Sequence, residues 1–214
     1  MANVVSLTFN LFQENTYIVY DDTKECVIFD PGCSTNAEER QLVQKIESLG
    51  LQPVRLINTH CHIDHVYGNA FVARHYNLPL EIHREELSVL AYAGASSQLF
   101  GAPSPEPSPE PAHFIEEGEI IKFGETELQT LFTPGHSPAS LSFYCEADQF
   151  VIAGDVLFYG SIGRYDLPGG NLQTLMNSIN QKLLPLGDMV KVYPGHGPAT
   201  TIGQEKAHNP FLRG

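Results

Sequence analysis

The chain has 214 residues, 42% of them hydrophobic, which is enough to bury the core of a single domain. A formal net charge of −13, with only 12 lysine and arginine residues, argues against a nucleic-acid partner, because binding to phosphate depends on basic surface. No segment approaches the ~18 apolar residues of a membrane span and the N-terminus lacks signal-peptide features, so we expect a cytoplasmic protein without membrane contact.

The first third of the sequence predicts three strands and an outer helix. Short runs rich in β-branched and aromatic residues alternate with polar turns, and they predict strands over 4–9, 16–20 and 26–29. Residues 37–49 then place leucine and isoleucine at helical spacing, and Gly50 supplies a stop signal. We therefore predict an amphipathic helix on the outside of this sheet.

The rest of the sequence continues this alternation of strands and helices. Further strands are predicted over 54–58, 120–122, 127–132, 141–145, 150–153 and 189–192. Further helices are predicted over 67–76, 85–93 and 172–183. The elements follow the order that a sandwich of two sheets needs.

Two segments interrupt the pattern. Residues 101–111 contain a proline at every second position from 103 onward, which predicts a stiff, extended loop that is either a surface connector or a rim limiting substrate size. Residues 159–170 are rich in glycine and follow Asp155, and we expect a substrate-contacting loop there.

Residues 59–65, T-H-C-H-I-D-H, concentrate three histidines and an aspartate at the end of the predicted strand 54–58. Imidazole and carboxylate are ligands that a divalent ion such as zinc accepts, and a tight loop can aim alternate side chains at one point. Four ligands are too many for one catalytic ion that keeps an open position. The motif therefore predicts a pair of metal ions and further ligands elsewhere in the chain.

Three other positions have the same local context, an apolar strand that runs into a turn with glycine. They are His136 in T-P-G-H-S, Asp155 in A-G-D and His196 in Y-P-G-H-G. Glycine beside a ligand allows close approach of the backbone and unusual dihedral angles. Any one of these residues alone is more simply explained as a solvated loop residue, but their recurrence beside the first motif predicts that they are the missing ligands.

Together these motifs resemble the metallo-β-lactamase superfamily and, within it, the compact type II glyoxalase-like hydrolases. The resemblance is carried by T-H-C-H-I-D-H at 59–65, T-P-G-H-S at 133–137, G-D-V-L-F at 154–158, S-I-G-R at 161–164 and Y-P-G-H-G at 193–197. It implies an α+β fold, a four-layer αββα sandwich formed by residues 1–214 as one domain, with the metals at one edge of the two sheets.

The resemblance also assigns the ligands. His60, His62 and His136 would hold one metal, Asp64, His65 and His196 the other, and Asp155 would bridge them. The ions would be divalent, zinc first, with iron or manganese as alternatives because the same donors accept each of them. Asp64 and Asp155 are the predicted catalytic residues, since either could orient the attacking hydroxide as well as bind metal.

The implied activity is hydrolysis of a small thioester. Two ions that share a water would lower its pKa toward ~7 and would stabilise the oxyanion as the thiolate leaves. The products of an S-2-hydroxyacyl thioester would be a 2-hydroxy acid and a thiol. Type II glyoxalases that use glutathione thioesters carry a helical C-terminal extension for the glutathione, and we expect this chain to lack it because the sequence ends soon after His196.

Arg164 is the candidate substrate-binding residue. It lies in the loop after Asp155, where glutathione-dependent relatives carry a basic residue, and we predict that it binds a substrate carboxylate. The alternative is an ion pair between Arg164 and Asp166 that only fixes the loop.

Other functions stay open at this point. A persulfide dioxygenase has a similar histidine loop and binds one iron, which His60, His136 and Asp155 could hold with open positions for oxygen. A non-catalytic metal-binding protein is a more distant alternative. A β-lactamase is disfavoured because residues 161–170 resemble the glyoxalase-like loop. The four cysteines show no paired spacing, and we expect free, mostly buried thiols.

Overall fold

The computed structural model describes residues 1–213, which form two compact units. The first unit contains Met1–Ile115 together with the turn Lys122–Glu127. The second unit contains Glu116–Ile121 and the described chain from Leu128 onward.

The sheet of the first unit changes from antiparallel to parallel pairing along its width. Its strands, in chain order and in spatial order, are β1 (Asn3–Phe9), β2 (Glu14–Tyr20), β3 (Glu25–Phe29), β4 (Gln52–Ile57), β5 (Leu80–Ile82) and β6 (His113–Phe114). β1, β2 and β3 pair antiparallel, whereas β3 to β6 pair in parallel. Parallel neighbours need crossover connections, and helices lie in them.

The helices of the first unit are α1 (Asn36–Ser48), α2 (Ile63–Val66), α3 (Asn69–Tyr76) and α4 (Leu87–Phe100). A capping box begins α1, in which the Thr35 hydroxyl accepts from the Glu38 amide and the Glu38 carboxylate accepts from the Thr35 amide. Leu42 and Ile46 of α1 are buried in one apolar core with sheet residues such as Ile28. The helical spacing seen in the sequence therefore marks the face of α1 that packs on the sheet.

The remaining strands are β7 (Ile120–Phe123), β8 (Thr126–Phe132), β9 (Leu141–Cys145), β10 (Phe150–Gly154), β11 (Leu157–Phe158), β12 (Ser161–Ile162), β13 (Lys191–Pro194) and β14 (Thr200–Thr201). Six of them form a sheet in the order β14-β13-β10-β9-β8-β7, and β11 and β12 form a separate antiparallel hairpin. β10 and β13 pair in parallel, so their carboxyl ends lie at the same edge of the sheet.

The second unit also contains α5 (Leu172–Ser178) and α6 (Ile202–His208). α5 continues into a π-helical turn, Ile179–Leu183, and a 3-10 turn, Leu184–Leu186. Leu175, Ile202 and Val192 are fully buried in the apolar core of this unit. Both helices are therefore attached to the sheet through apolar packing.

Most of the predicted elements are confirmed, and the differences have local causes. α4 continues to Phe100 because no strong stop signal precedes Gly101, which ends the helix in the left-handed region at φ 62°. β5 and β6 were not predicted, since two or three residues are too few to show periodicity. α6 was also missed, and the regular helix predicted over 172–183 is wrong beyond Ser178, where the π-helical turn begins.

The proline-rich segment 101–111 adopts neither helix nor strand, as predicted. It is fixed to the first unit by polar contacts: the Tyr67 hydroxyl donates to the Pro103 carbonyl at 2.8 Å, and the Asn69 amide lies 3.1 Å from the Ser108 hydroxyl. These contacts restrict the conformations that the segment can adopt. Its role as a rim of the cleft stays a prediction.

The cysteines are buried free thiols, as predicted. Burial raises the pKa of the Cys26 thiol to about 12, so the reactive thiolate form is suppressed there. Within residues 1–213, no helix is both long and apolar enough to cross a membrane.

Asp21 is a buried carboxylate that connects two turns of the first unit. It accepts hydrogen bonds from the backbone amides of Thr23 and Glu125 and from the Thr126 hydroxyl. Burial would raise the pKa of Asp21, but these hydrogen bonds outweigh it, and the pKa lies below its ordinary value.

We predict that Asp21→Ala lowers the free energy of unfolding by about 2–3 kcal/mol near neutral pH, because several donors lose a charged acceptor. A depressed folded-state pKa contributes stability above the unfolded-state value of about 4, and this contribution is lost as the pH falls through the folded-state pKa. Urea unfolding at pH 7 and at roughly pH 3, below the unfolded-state pKa, measures the difference between wild type and variant, which should shrink at the lower pH. A difference that is constant with pH would contradict the assignment.

Candidate metal centre

The histidine loop leaves the end of β4 and enters α2. His60 is fully buried, and its ring meets that of His62 edge-on, with the ring centroids 4.8 Å apart. Each of these two residues offers one ring nitrogen within 4.8 Å of the other's. Asp64 and His65 follow on α2, where Asp64 Oδ2 lies 3.5 Å from His65 Nε2. The four residues singled out in the sequence thus form two pairs of potential donors within the first unit.

Asp30, which directly follows β3, fixes the histidine loop through hydrogen bonds. Its carboxylate accepts from the Thr59 amide at 2.7 Å and from the Thr59 hydroxyl at 2.6 Å, and it lies 3.1 Å from His65 Nδ1. A carboxylate accepts, so His65 carries its proton on Nδ1 and its Nε2 is left to bind a metal. The Thr59 hydroxyl, having donated to Asp30, accepts from His60 Nδ1 at 3.1 Å, which selects the same tautomer for His60.

Glu14 is a second acid beside the loop that the sequence did not single out. Its side chain is fully buried on β2, with Oε1 3.9 Å from His65 Nδ1 and Oε2 accepting from the Thr16 hydroxyl. Burial is the main reason that the pKa of Glu14 is raised well above its ordinary value, and the neighbouring Asp30 adds to the effect, whereas His65 opposes it.

The second unit brings its three predicted ligands together at one edge of its sheet. Asp155 follows β10 and His196 follows β13, and the parallel pairing of these strands places both residues at the same end. The Gly195 amide donates to the Gly154 carbonyl at 2.9 Å and fixes the two turns to each other. His136 follows β8 in a turn where Gly135 has φ 126°, a conformation that favours glycine.

Asp155 lies between the two histidines. Its Oδ2 is 3.4 Å from His136 Nε2 and 3.5 Å from His196 Nε2. On the other side of the His136 ring, Nδ1 lies 2.7 Å from the backbone carbonyl of Arg164. Because a carbonyl only accepts, His136 carries its proton on Nδ1 and presents Nε2 toward Asp155.

These separations fit a metal site. Donors placed ~2.0–2.2 Å from one ion in tetrahedral geometry stand roughly 3.3–3.6 Å from each other. The pairs formed by Asp64 with His65, by Asp155 with His136 and by Asp155 with His196 all lie at 3.4–3.5 Å, which is longer than a good hydrogen bond between nitrogen and oxygen. Imidazole nitrogens and carboxylate oxygens are also the donors that zinc, iron and manganese share. The donor set of each unit therefore suits divalent ions.

Arg164 forms an ion pair with Asp166, which is the alternative to substrate binding that the sequence left open. Its Nε and Nη2 atoms donate to the two carboxylate oxygens of Asp166 at 2.9 and 3.0 Å, and both side chains are exposed. The hydrogen bond to Asp166 raises the pKa of Arg164, and the same contact lowers the pKa of Asp166. The backbone of Arg164, by contrast, contacts His136 directly.

Comparison with known proteins extends these observations over the whole chain. A sequence model of the Metallo-beta-lactamase superfamily matches residues 9–196. The probable metallo-hydrolase YqgX of Bacillus subtilis is 42% identical over 205 residues, covering 94% of this chain and 93% of that protein. The hydroxyacylglutathione hydrolase GloC of Haemophilus influenzae is 38% identical over 211 residues, covering 98% of each.

Solved structures with this fold include the B3 metallo-beta-lactamase BLEG-1, with a TM-score of 0.90 and 38% identity over 100% of both chains. TTHA1623, solved in a di-iron-bound form, has a TM-score of 0.88 at 37% identity and covers 98% of this chain and 100% of its own. ETHE1 from Myxococcus xanthus has a TM-score of 0.79 at 26% identity, over 97% and 83% of the two chains. The predicted α+β fold class of metallo-β-lactamase type is confirmed.

Proposed function

Because the chain belongs to the metallo-beta-lactamase superfamily, we propose that it hydrolyses small thioesters at a binuclear metal centre. In this proposal one ion is held by His60, His62 and His136, the other by Asp64, His65 and His196, and both by Asp155. The position of Asp155 Oδ2 carries the assignment. Its two neighbouring histidines would hold different ions, and a carboxylate that serves both ions would have to lie beside both histidines, as Asp155 does.

The bound ions would supply hydroxide at neutral pH and would stabilise negative charge on the carbonyl oxygen of the thioester. The residues of the chain prepare this chemistry. Asp30 holds His65 and, through Thr59, His60 in the tautomer in which Nε2 would bind the metal. The Arg164 carbonyl does the same for His136. Fixed tautomers and ring orientations are what metal-ligating histidines require from their surroundings.

The choice of a thioester is supported by the Haemophilus influenzae relative, which bears the name of a hydroxyacylglutathione hydrolase at 38% identity, and by the S-I-G-R segment at 161–164. Zinc is the proposed metal. The di-iron form of TTHA1623, at 37% identity, supports iron as the alternative ion for this donor set.

Purification with and without oxygen, followed by metal analysis and a panel of thioesters, tests the proposal. We expect two ions per chain and hydrolysis that consumes no oxygen. One iron per chain with oxygen uptake on a persulfide would support the dioxygenase instead. A purified protein that retains no metal and hydrolyses none of the thioesters would support a non-catalytic protein.

Hydrolysis of a β-lactam is a second candidate, favoured by the match to BLEG-1 over the whole chain. A β-lactam also has an activated carbonyl that can be hydrolysed, so the same residues would serve. A chromogenic β-lactam in the panel separates the two candidates. We expect kcat/KM for the best thioester to exceed that for the β-lactam, and the reverse order would replace the thioester proposal.

We predict weak dependence on the thiol carrier. Contacts remote from the reacting carbonyl provide the binding energy that distinguishes carriers, and we propose that this chain makes few contacts with the glutathione portion. The values of kcat/KM for the lactoyl thioesters of glutathione and of a truncated thiol should therefore differ by less than about a hundredfold, or ~2.7 kcal/mol. A larger preference for the glutathione ester would indicate a dedicated glutathione site.

For Arg164 we propose binding of a substrate carboxylate. Arg164→Ala should raise KM for an anionic thioester about tenfold to a hundredfold and leave an uncharged thioester and the metal content nearly unchanged. Asp166→Asn provides the matched variant, because it weakens the competing ion pair and should lower KM for the anionic substrate. If Arg164→Ala impairs both substrates equally, the pair with Asp166 serves only to fix the loop.

A further inference from the structure

We propose that α6, through Glu205 and Asn209, positions the metal ligand His136. The proposal rests on the metal centre proposed above and adds a set of buried residues that reach it from the last helix. Glu205 lies on α6 and Asn209 immediately after it, and the side chains are 1% and 0% exposed. Polar groups this deeply buried are costly unless they are hydrogen-bonded, so the partners of these two side chains show which segments they connect.

The two side chains form hydrogen bonds with the β11–β12 hairpin at its turn. Glu205 Oε2 accepts from the Gly160 amide at 2.8 Å, and Oε1 accepts from the Thr200 hydroxyl on β14 at 2.5 Å. Asn209 Nδ2 donates to the Ser161 carbonyl at 2.9 Å and to Glu205 Oε2 at 2.8 Å. One amide and one carbonyl of the turn are thus tied to α6, and through Thr200 to the sheet.

The hairpin depends on this support. β11 and β12 contain two residues each, and a hairpin of that size is not stable by itself. Fixing its turn determines the path of the chain that leaves β12.

That path ends at the proposed metal ligands. Gly163 follows β12, and its amide donates to the Val156 carbonyl at 3.3 Å. A β-carbon at Gly163 would collide with the Asp155 carbonyl and lie 3.3 Å from His136 Cβ, so the backbone here is packed directly on both residues. The next carbonyl, that of Arg164, accepts the Nδ1 proton of His136. Movement of the hairpin would therefore remove the acceptor that fixes the His136 ring.

Glu205→Ala and Asn209→Ala test the proposal, with Glu205→Gln as a rescue variant because an amide can still accept from Gly160 and can donate to the Thr200 hydroxyl. Asp21→Ala is the control, since Asp21 is also a buried carboxylate that accepts from loop amides, but it lies in the first unit and contacts no ligand. Urea unfolding measures the stability of each variant.

Two readouts report on His136 itself. In the metal-free protein, NMR of the imidazole follows the Nδ1 proton, whose exchange with water should accelerate at least tenfold in both alanine variants and little in Glu205→Gln or Asp21→Ala. Titration with Co²⁺ should show a dissociation constant raised about tenfold to a hundredfold, with an altered visible spectrum, in the alanine variants.

Variants that lose stability as Asp21→Ala does, but keep the His136 proton and the Co²⁺ affinity of the wild type, would overturn the proposal. If Glu205→Ala does not fold, Asn209→Ala and Glu205→Gln decide the same question. Neither readout uses a thioester. A wild-type protein that hydrolyses no thioester would therefore contradict the proposed function and leave this inference standing. Active variants in which the exchange of the His136 proton and the binding of Co²⁺ are unchanged would contradict only the inference.

Discussion

Asp155→Ala is expected to reduce hydrolysis by more than about a thousandfold and to prevent retention of two metal ions. Asp155 Oδ2 lies 3.4 Å from His136 Nε2 and 3.5 Å from His196 Nε2, and the proposal assigns these two histidines to different ions. Its loss would weaken both sites, whereas loss of His62 would weaken one. Metal analysis after gel filtration and kcat/KM on the best thioester measure both effects, and His62→Ala should retain more metal than Asp155→Ala.

Asp148→Ala is the matched control for this experiment. Asp148 is a partly exposed aspartate in the turn before β10, and it accepts a hydrogen bond from the Cys145 thiol. Its replacement should leave metal content and kcat/KM close to those of the wild type. A wild type that saturates with one ion per chain, together with an Asp64→Ala variant of full activity, would contradict the binuclear arrangement.

The candidate ligands could be predicted from the sequence because their chemistry is concentrated. Residues 59–65 carry four potential donors in one loop, and each of the other three follows an apolar strand and a glycine. The strand ends themselves explain the convergence of Asp155 and His196, since parallel neighbours finish at one edge. Strand prediction and motif spacing were therefore sufficient for this part of the site.

The residues that orient the ligands could not be predicted in this way. Asp30 acts on His65 across 35 positions of sequence, and only the D-P-G turn after β3 could have drawn attention to it. Glu14 precedes the predicted strand 16–20, and nothing in its sequence context marks it as part of the site. The group that fixes His136 is a backbone carbonyl, which every residue possesses, so no side-chain pattern marks it. These contacts depend on tertiary packing, which local sequence does not encode.

The second large effect on activity is expected from a substitution in the backbone segment after β12. Gly163→Ala is expected to lower kcat/KM by about a hundredfold or more and to weaken Co²⁺ binding comparably. An added methyl group would collide with the Asp155 carbonyl and press on His136 Cβ. Asp155 and His136 are both proposed metal ligands. Displacement of a catalytic group by ~1 Å can cost a factor of ~10².

Gly160→Ala in the same hairpin separates this steric effect from general strain. Gly160 has φ 66°, so alanine there is strained by about 1 kcal/mol, but its β-carbon would meet no atom within 4 Å. Gly163 does not have a positive φ, and the cost of alanine there arises from the collision alone. We therefore expect Gly160→Ala to lower stability while retaining most metal affinity and activity. Equal losses of Co²⁺ affinity in the two variants would show that the hairpin is sensitive to any distortion, and the direct packing of Gly163 on Asp155 and His136 would then not be the cause.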